Sequence, residues 1–444
     1  MKKVLLVGNG AREHAIAYTL SRSPQKPQIF SFMKARNPGI TALSKDTCIS
    51  RLDDFETLGK FVKKVKPDFA VIGPEDPLNA GIVDFLETLG VPSVGPTKEL
   101  AKLETSKAFT RELLEKYRIP ANVKFRKFSK VDGIKKYIEK ELPGGFVVKP
   151  DGLTGGKGVM VSGEHLSDAD DAVSYCREVL KKHPLVVIEE KIEGEEFSLM
   201  CFSDGRTVRA MPPVQDHKRL LPGDKGANTG GMGSYSCSDH LLQFLAKGDV
   251  AVAEKMVQMT CEAIRKETGH EYKGVMYAGF MLTAGGPKLL EYNARLGDPE
   301  AMNVLPIMKS DFVSVCEAVI DGTLDATKLE FERKATVCKY AVPQGYPHNP
   351  VSGEKIEIDE KKVRKAGALV FHAAVDQRED GLYMTGSRAA GFVGIADTIG
   401  EAEKAAETAI RSVKGPIFHR EDIGTAALLE KRIRHMAEVR NKAC

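Results

Sequence analysis

The chain has 444 residues, 42% hydrophobic and 28% charged, the composition of a soluble globular protein long enough for about two to four domains with sizeable cores. A net charge of +4 over this length gives no general electrostatic case for nucleic acid or membrane. The eight cysteines are scattered, with no C-x-x-C pair and no Cys/His cluster at zinc spacing, which indicates reduced thiols in a cytoplasmic protein.

No run approaches transmembrane length. The opening MKKVLLVGNG has too short an apolar stretch for a secretory signal and reads as a first strand. Strand-like runs KKVLLVG, QIFSFM and DFAVIGP then alternate with helical stretches at Arg12 to Ser21, Asp53 to Val65 and Leu78 to Leu89. Such alternation predicts a parallel sheet with helices on its faces, an α/β domain over the first hundred or so residues.

The first turn, Gly8-Asn9-Gly10-Ala11-Arg12-Glu13, departs from a dinucleotide fingerprint. Glu13 replaces its third glycine, and the second strand ends in Met33-Lys34 with no acid to hold a ribose hydroxyl. A turn between strand and helix still suits an anionic group, with Arg12 adding charge; ordinary first-turn polar residues would give the same pattern. Gly73-Pro74-Glu75-Asp76-Pro77 follows another strand, where carboxylates would face the ligand crevice of such a sheet or cap a helix. Of the two acids Glu75 is the stronger candidate.

One helical run is expected from Lys98 to Tyr117, with Lys107 inside it. Phe146 to Val161, FVVKPDGLTGGKGVMV, then reads as a hairpin: two apolar, β-branched runs around a glycine-rich tip, with Lys149 closing the first run and Lys157 in the tip. Glycines let backbone N–H groups approach phosphate. A Walker A loop is excluded, because Asp151 stands at its first glycine, Gly158 follows Lys157, and a strand follows the loop.

Pro184 to Ile192 reads as a buried strand ending in Glu189 and Glu190, followed by Gly194-Glu195-Glu196 and a second strand. A strand edge could read an adenine ring and a nearby carboxylate could bind ribose, though acidic surface loops are commonplace. Residues 213 to 233, PVQDHKRLLPGDKGANTGGMG, form a long segment of the kind that is usually functional or disordered. Asp216, His217, Lys218 and Arg219 supply donors and acceptors for a polar anionic substrate, and Asn228 to Gly231, including Gly230, could form an N–H nest.

Val275 to Leu282 and Pro287 to Tyr292 read as paired strands. Glu291 and Asn293 are two apart, hence on one face, and two oxygen ligands suit Mg²⁺ held partly by nucleotide phosphates. Arg295 would continue the same side. After a helix at 310 to 321, strands at Ala335 to Val342, Ala368 to Val375, Leu382 to Thr385 and Ala390 to Gly394, a helix from Glu401 to Ser412 and a helical tail from Thr425 to Val439 make a small α+β domain.

The succession of Lys107, Lys149, a glycine-rich hairpin, Glu189 to Ile192, Glu196 and E-x-N-x-R resembles the ATP-grasp enzymes. With GNGAREHA, QDHKRLLPGDKGANTGGMGSYS and EYNARLGDPE, the chain resembles the phosphoribosylamine-glycine ligase (glycinamide ribonucleotide synthetase) family from residue 1 to about 425. It departs at Ala11, where glycine is usual, and at Pro150, Thr154 and Gly155, where alanines are common.

The resemblance implies an α/β and α+β multidomain fold. Its parts are an N-terminal parallel-sheet domain (1–103), an ATP-grasp domain (104–325) with a lid at about 122–193, a C-terminal domain (326–425) and a tail (426–444). It implies that Lys107 and Lys149 contact ATP phosphates beneath the tip Gly155, Gly156, Lys157 and Gly158. Glu189, Glu190 and the backbone of Ile192 would meet adenine, and Glu196 ribose. Glu291 and Asn293 would hold Mg²⁺ (or Mn²⁺), and Arg295 would steady the reacting phosphate. Gly10, Arg12, Glu13, Glu75, Asp216, His217, Lys218, Asn228, Gly230 and Gly231 become candidates for glycine and 5-phosphoribosylamine.

The implied partners are these small molecules, with neither nucleic acid nor membrane, in a monomer or small homo-oligomer. The implied reaction converts ATP, glycine and 5-phosphoribosylamine to ADP, phosphate and glycinamide ribonucleotide in de novo purine biosynthesis, and needs no protein nucleophile. An ATP-grasp enzyme for another carboxylate would share residues 104–296 but not the first turn or the Asp216 to Tyr235 segment. A non-catalytic nucleotide sensor would not need the intact lysine, glutamate and asparagine set.

Overall fold

Short runs, mostly apolar and buried except in the half-exposed edge strand β3, build the first sheet: β1 (Lys3–Val7), β2 (Gln28–Met33), β3 (Asp46–Ile49), β4 (Phe69–Ile72) and β5 (Ser93–Val94). All pair in parallel, in the order β3-β2-β1-β4-β5. The order reverses between β1 and β4, so the turns after these two strands border the crevice where such sheets bind ligands. The structure is a computed structural model describing residues 1–153 and 158–442. No described helix is long and apolar enough to cross a membrane.

Around this sheet lie α1 (Ala11–Ser21), α2 (Pro38–Leu43), α3 (Phe55–Val65), α4 (Glu75–Ala80) and α5 (Ile82–Thr88). Where periodicity predicts one helix over Leu78 to Leu89, Gly81 takes φ +92 and divides two. The run expected from Lys98 to Tyr117 is likewise two helices, α6 (Lys102–Thr105) and α7 (Lys107–Lys116). Ser106 leaves the helical conformation and its hydroxyl caps α7 by accepting from Phe109 N, the usual work of serine at a helix start. Lys107 therefore opens a helix instead of lying within one.

The next sheet contains β6 (Phe125–Phe128), β7 (Phe146–Pro150), β8 (Met160–Val161) and β9 (Val186–Glu190), ordered β6-β9-β7-β8 and backed by α8 (Ile134–Glu141) and α9 (Ala169–Val179). The expected hairpin is present, with Val147 opposite Val161 and Val148 opposite Met160. Ile134, Tyr137, Val148, Cys176 and Ile188 belong to a core of its own, separate from the main one.

Then come β10 (Glu195–Asp204), β11 (Val208–Ala210), β12 (Gln215–Asp216), the hairpin β13 (Arg219–Leu221) and β14 (Lys225–Asn228), β15 (Gly233–Ser236), α10 (Lys247–Thr268), β16 (Lys273–Thr283) and β17 (Gly286–Asn293). Residues 213 to 233 thus include paired strands, with Gly223 at the hairpin turn while Arg219 and Leu221 face Asn228 and Lys225. The central sheet runs β11-β10-β16-β17.

After α11 (Glu300–Val304) and α12 (Phe312–Asp321) follow β18 (Ala335–Pro343), β19 (Ser352–Ile356), α13 (Glu360–Lys365), β20 (Ala368–His372), β21 (Val375–Arg378), β22 (Gly381–Thr385), β23 (Ala390–Ala396), α14 (Ile399–Ile410), β24 (Ile417–Phe418) and α15 (Ala426–Asn441). Strands β12 and β15 join β18, β23 and β20 in one sheet. The Asp216 segment is thereby tied to the C-terminal part of the chain.

Candidate active site

The first turn owes its shape to Glu13. Gly8 takes φ +116, and a Cβ there would stand 2.7 Å from the Glu13 side chain. The Glu13 carboxylate accepts from Gly10 N at 2.5 Å and from Arg12 Nε at 2.6 Å. Both oxygens are thus engaged inside the protein, and Glu13 acts on the site by holding Gly10 and Arg12. Arg12 in turn donates to Leu296 O (3.1 Å) and lies 3.9 Å from Glu75.

Glu75, at the start of α4, also receives Arg295 Nε at 3.2 Å. The Arg295 charge, joined by Arg12, holds its carboxyl at about 2 against the opposing effect of burial. The other side of Arg295 meets Glu104 at 3.2 Å, and Glu104 accepts from Ala294 N at 2.8 Å. The turns after β1 and β4 are in this way locked to the segment leaving β17. Arg295 lies beyond that strand's end, and its acidic neighbours here are the protein's own.

Glu291 and Asn293 lie on one face of β17, opposite Gly279 and Tyr277 of β16. No side chain donates to either among the described residues. Burial pushes the Glu291 carboxyl up, but Lys218, Lys149, Lys107 and Arg295 together more than offset this and hold it below the ordinary range. Four cations from separate segments of the chain therefore act electrostatically on one carboxylate. Lys107 Nζ donates to Gly152 O (2.8 Å), Lys149 Nζ to Leu290 O (2.9 Å), and Lys218 Nζ to Glu196 (3.2 Å).

Glu189 stands apart from the adenine role inferred for it. Strand β9 is not an edge, being paired to β6 and β7. Glu189 is 3% exposed, and its oxygens take Arg111 Nε and Nη2 at 2.8 Å each, with Lys149 Nζ also at 2.8 Å. Arg111 further donates to Leu289 O and Leu290 O, joining α7, β9 and β17. Nothing in the sequence marked this arginine, whose partner lies 78 positions away. Glu190 accepts from Lys124 N, while Ile192 lies past the end of β9 with its backbone outside the ladder.

Although burial pushes the Glu189 carboxyl up, Arg111 and Lys149 hold it at about 2, against an ordinary 4.5. A depressed carboxyl contributes stability that is fully present above the unfolded value and lost as pH falls through the folded one. Glu189→Gln should therefore lower the urea midpoint more at pH 7 than at pH 3, measured by circular dichroism. An equal loss at both pH values would contradict the charge pairing.

Asp216, at the end of β12, accepts from His217 N at 2.7 Å. Gly231 takes φ +107, and a Cβ there would stand 2.6 Å from Asp216 Oδ1. Burial, then the Glu300 charge, pushes the Asp216 carboxyl well up. His217 turns away from this group. It is buried beside Tyr235 at 5.9 Å between centroids, and burial with Arg432 and Arg420 pulls its imidazole down to about 3.

The nest expected at Asn228 to Gly231 is differently arranged. Asn228 faces Arg219 across the hairpin, and Gly230 N and Gly231 N donate to Tyr346 Oη (3.3 Å) and Thr229 Oγ1 (3.1 Å). Their carbonyls face Arg388 of the C-terminal part, which also pairs with Asp298 at 3.2 Å and stacks over Tyr340 at 4.5 Å. Sequence reasoning passed over Arg388 because its segment shows no motif. Gly155, Gly156 and Lys157 lie outside the described residues; next to them, Gly158 O accepts from Tyr175 Oη at 2.8 Å.

Family models described as phosphoribosylglycinamide synthetase N domain, ATP-grasp (A) domain and C domain match residues 2–104, 105–301 and 336–426. The chain is 49% identical to phosphoribosylamine–glycine ligase of Methanocaldococcus jannaschii over 99% of this chain and 100% of that one. With its namesake from Pyrococcus furiosus the identity is 48%, over 99% and 98%. The crystal structure of phosphoribosylamine–glycine ligase from Thermotoga maritima superposes with a TM-score of 0.79 at 29% identity, covering 95% of this chain and 99% of that one. Biotin carboxylase of Campylobacter jejuni shares the fold, with a TM-score of 0.72 at 12% identity over 98% of each chain.

Proposed function

Because the chain belongs to the phosphoribosylglycinamide synthetase family, we propose that it works through a glycyl phosphate formed beside Glu291 and Asn293. The enzyme is an ADP-forming ligase that joins glycine to 5-phosphoribosylamine with ATP in purine biosynthesis. The observation that carries the site reading is geometric: Lys149 Nζ donates at 2.9 Å to Leu290 O, next to Glu291, and Glu196, which holds Lys218, pairs with β16 two residues along from Gly279, the partner of Glu291.

A glycine carboxylate repels an incoming amine and has no good leaving group. One of its oxygens attacks the γ-phosphorus of ATP, the bond to the β–γ bridging oxygen breaks, and ADP leaves. The amine of phosphoribosylamine then attacks the carbonyl carbon, losing a proton as the amide forms, and phosphate departs. The protein's task is to align two anions and neutralise their repulsion. Lys107 and Lys149 hold the phosphates, and Arg295 steadies the transferred group. Glu196, paired with Lys218, meets the ribose, and the backbone near Ile192 meets adenine. Gly10, Arg12 and Glu75 border the space for one substrate, Asp216 and Gly231 that for the other.

Mg²⁺ fits the donor set: Glu291 and Asn293 offer oxygens on one face, and their side chains have no hydrogen-bond partner among the described residues. When bound there, the ion neutralises phosphate charge. The seven described cysteines are free thiols, which supports a cytoplasmic location.

With Mg²⁺ present, ADP release should require both glycine and phosphoribosylamine, the latter made in situ from ribose 5-phosphate and ammonia. ADP production indifferent to both would overturn the reading.

A further inference from the structure

Helix α15 packs on β10 and β16 and sets basic side chains against acids of two separate elements. The first is the start of β10 together with the link that leads into it from β9. His435 Nδ1 lies 2.6 Å from Glu195 Oε1, Arg432 Nη1 lies 3.6 Å from the other oxygen, and Lys442 Nζ donates to Glu193 at 2.9 Å. The second is the turn of the β13–β14 hairpin, where Asp224 receives Lys431 at 3.0 Å and Arg432 Nη2 at 2.8 Å.

Glu195 is buried, 3% exposed, and relays the contact. It accepts from Gln215 Nε2 at 3.2 Å, and the same nitrogen donates to the main-chain carbonyl of Glu196 at 3.0 Å. The link has little slack, because a Cβ at Gly194 would stand 1.9 Å from Leu282 O. The hairpin that α15 grips at Asp224 begins one residue after Lys218, the partner of Glu196. One helix therefore fixes the supports on both sides of the Glu196–Lys218 pair.

We propose that Arg432 and His435 are positioning residues for the nucleotide, and that α15 acts through Glu195 and Asp224 to hold Glu196 and Lys218 where ATP ribose docks. This rests on the reading of Glu196 as the ribose carboxylate. An element joining two supports of the nucleotide site should affect nucleotide affinity more than the chemical step, since it touches no reacting group.

The test compares full-length His435→Leu, Arg432→Met and the conservative His435→Asn, whose amide can still donate to Glu195. Steady-state kinetics and calorimetric binding of MgADP are measured for each. His435→Leu and Arg432→Met should raise KM for ATP and the Kd for MgADP about three- to tenfold, with kcat and KM for glycine within about twofold of the parent. His435→Asn should recover most of the loss. Unchanged KM for ATP and Kd for MgADP would overturn the proposal, as would an equal rise in every KM, which marks general loosening. MgADP binding does not depend on ligation, so failure of the ligase reading would show separately, as parent enzyme that binds MgADP without turning over.

Discussion

Lys149→Ala is expected to remain folded and to lose about three orders of magnitude in kcat, roughly 4 kcal/mol of transition-state stabilisation. Lys149 is 6% exposed. Burial draws its pKa below that of an ordinary lysine, although Glu189 beside it pulls the other way. A cation in so dry a position acts on developing phosphate charge far more strongly than one in water. The fold survives because the deletion orphans no charge. Glu189 keeps both bonds to Arg111 at 2.8 Å, and Leu290 O keeps Arg111 Nη2 at 3.0 Å. ADP release at saturating substrates together with a melting curve checks both halves; near-normal turnover in a folded variant would remove Lys149 from the mechanism.

Glu291→Gln is expected to lower kcat about a hundredfold and to raise the Mg²⁺ concentration needed for half-maximal rate about tenfold. The substitution keeps the shape of the side chain and one oxygen but removes the charge that opposes Lys218, Lys149, Lys107 and Arg295. A metal held by one charged and one neutral oxygen loses most of its electrostatic attraction when the charged one is gone. Lys149→Ala should leave the Mg²⁺ requirement nearly unchanged, so titrating Mg²⁺ against rate in the two variants separates their roles. The same Mg²⁺ midpoint in Glu291→Gln and the parent would place the metal elsewhere.

The centre of the parallel sheet was legible in the sequence because β1, β2 and β4 are continuous apolar runs separated by helical stretches, whereas the polar, half-exposed β3 and the two-residue β5 carry no such run. The hairpin of β7 and β8 and the shared face of Glu291 and Asn293 followed from strand period alone. Helix breaks at Gly81 and Ser106 were not read, since one glycine or one serine inside a periodic run is ambiguous until its backbone conformation is known. Glu189 shows a different kind of miss. A carboxylate near a strand end is equally suited to a ligand or to a buried arginine, and only Arg111, brought from α7, decides between them. The helical tail itself was legible, but the roles of Arg388 and of the basic side chains of α15 were not, for the same reason: their partners, Gly230, Asp298, Glu195 and Asp224, come from distant parts of the chain. Residues that act on neighbours near in sequence leave a local pattern. Residues that tie one element to another do not.

The step through glycyl phosphate is tested most directly by ligation with glycine carrying ¹⁸O in both carboxylate oxygens. Transfer of a carboxylate oxygen to the γ-phosphorus predicts one ¹⁸O in each phosphate released and one retained in the amide of glycinamide ribonucleotide, read by mass spectrometry. Phosphate released without label, while ligation proceeds, would contradict it.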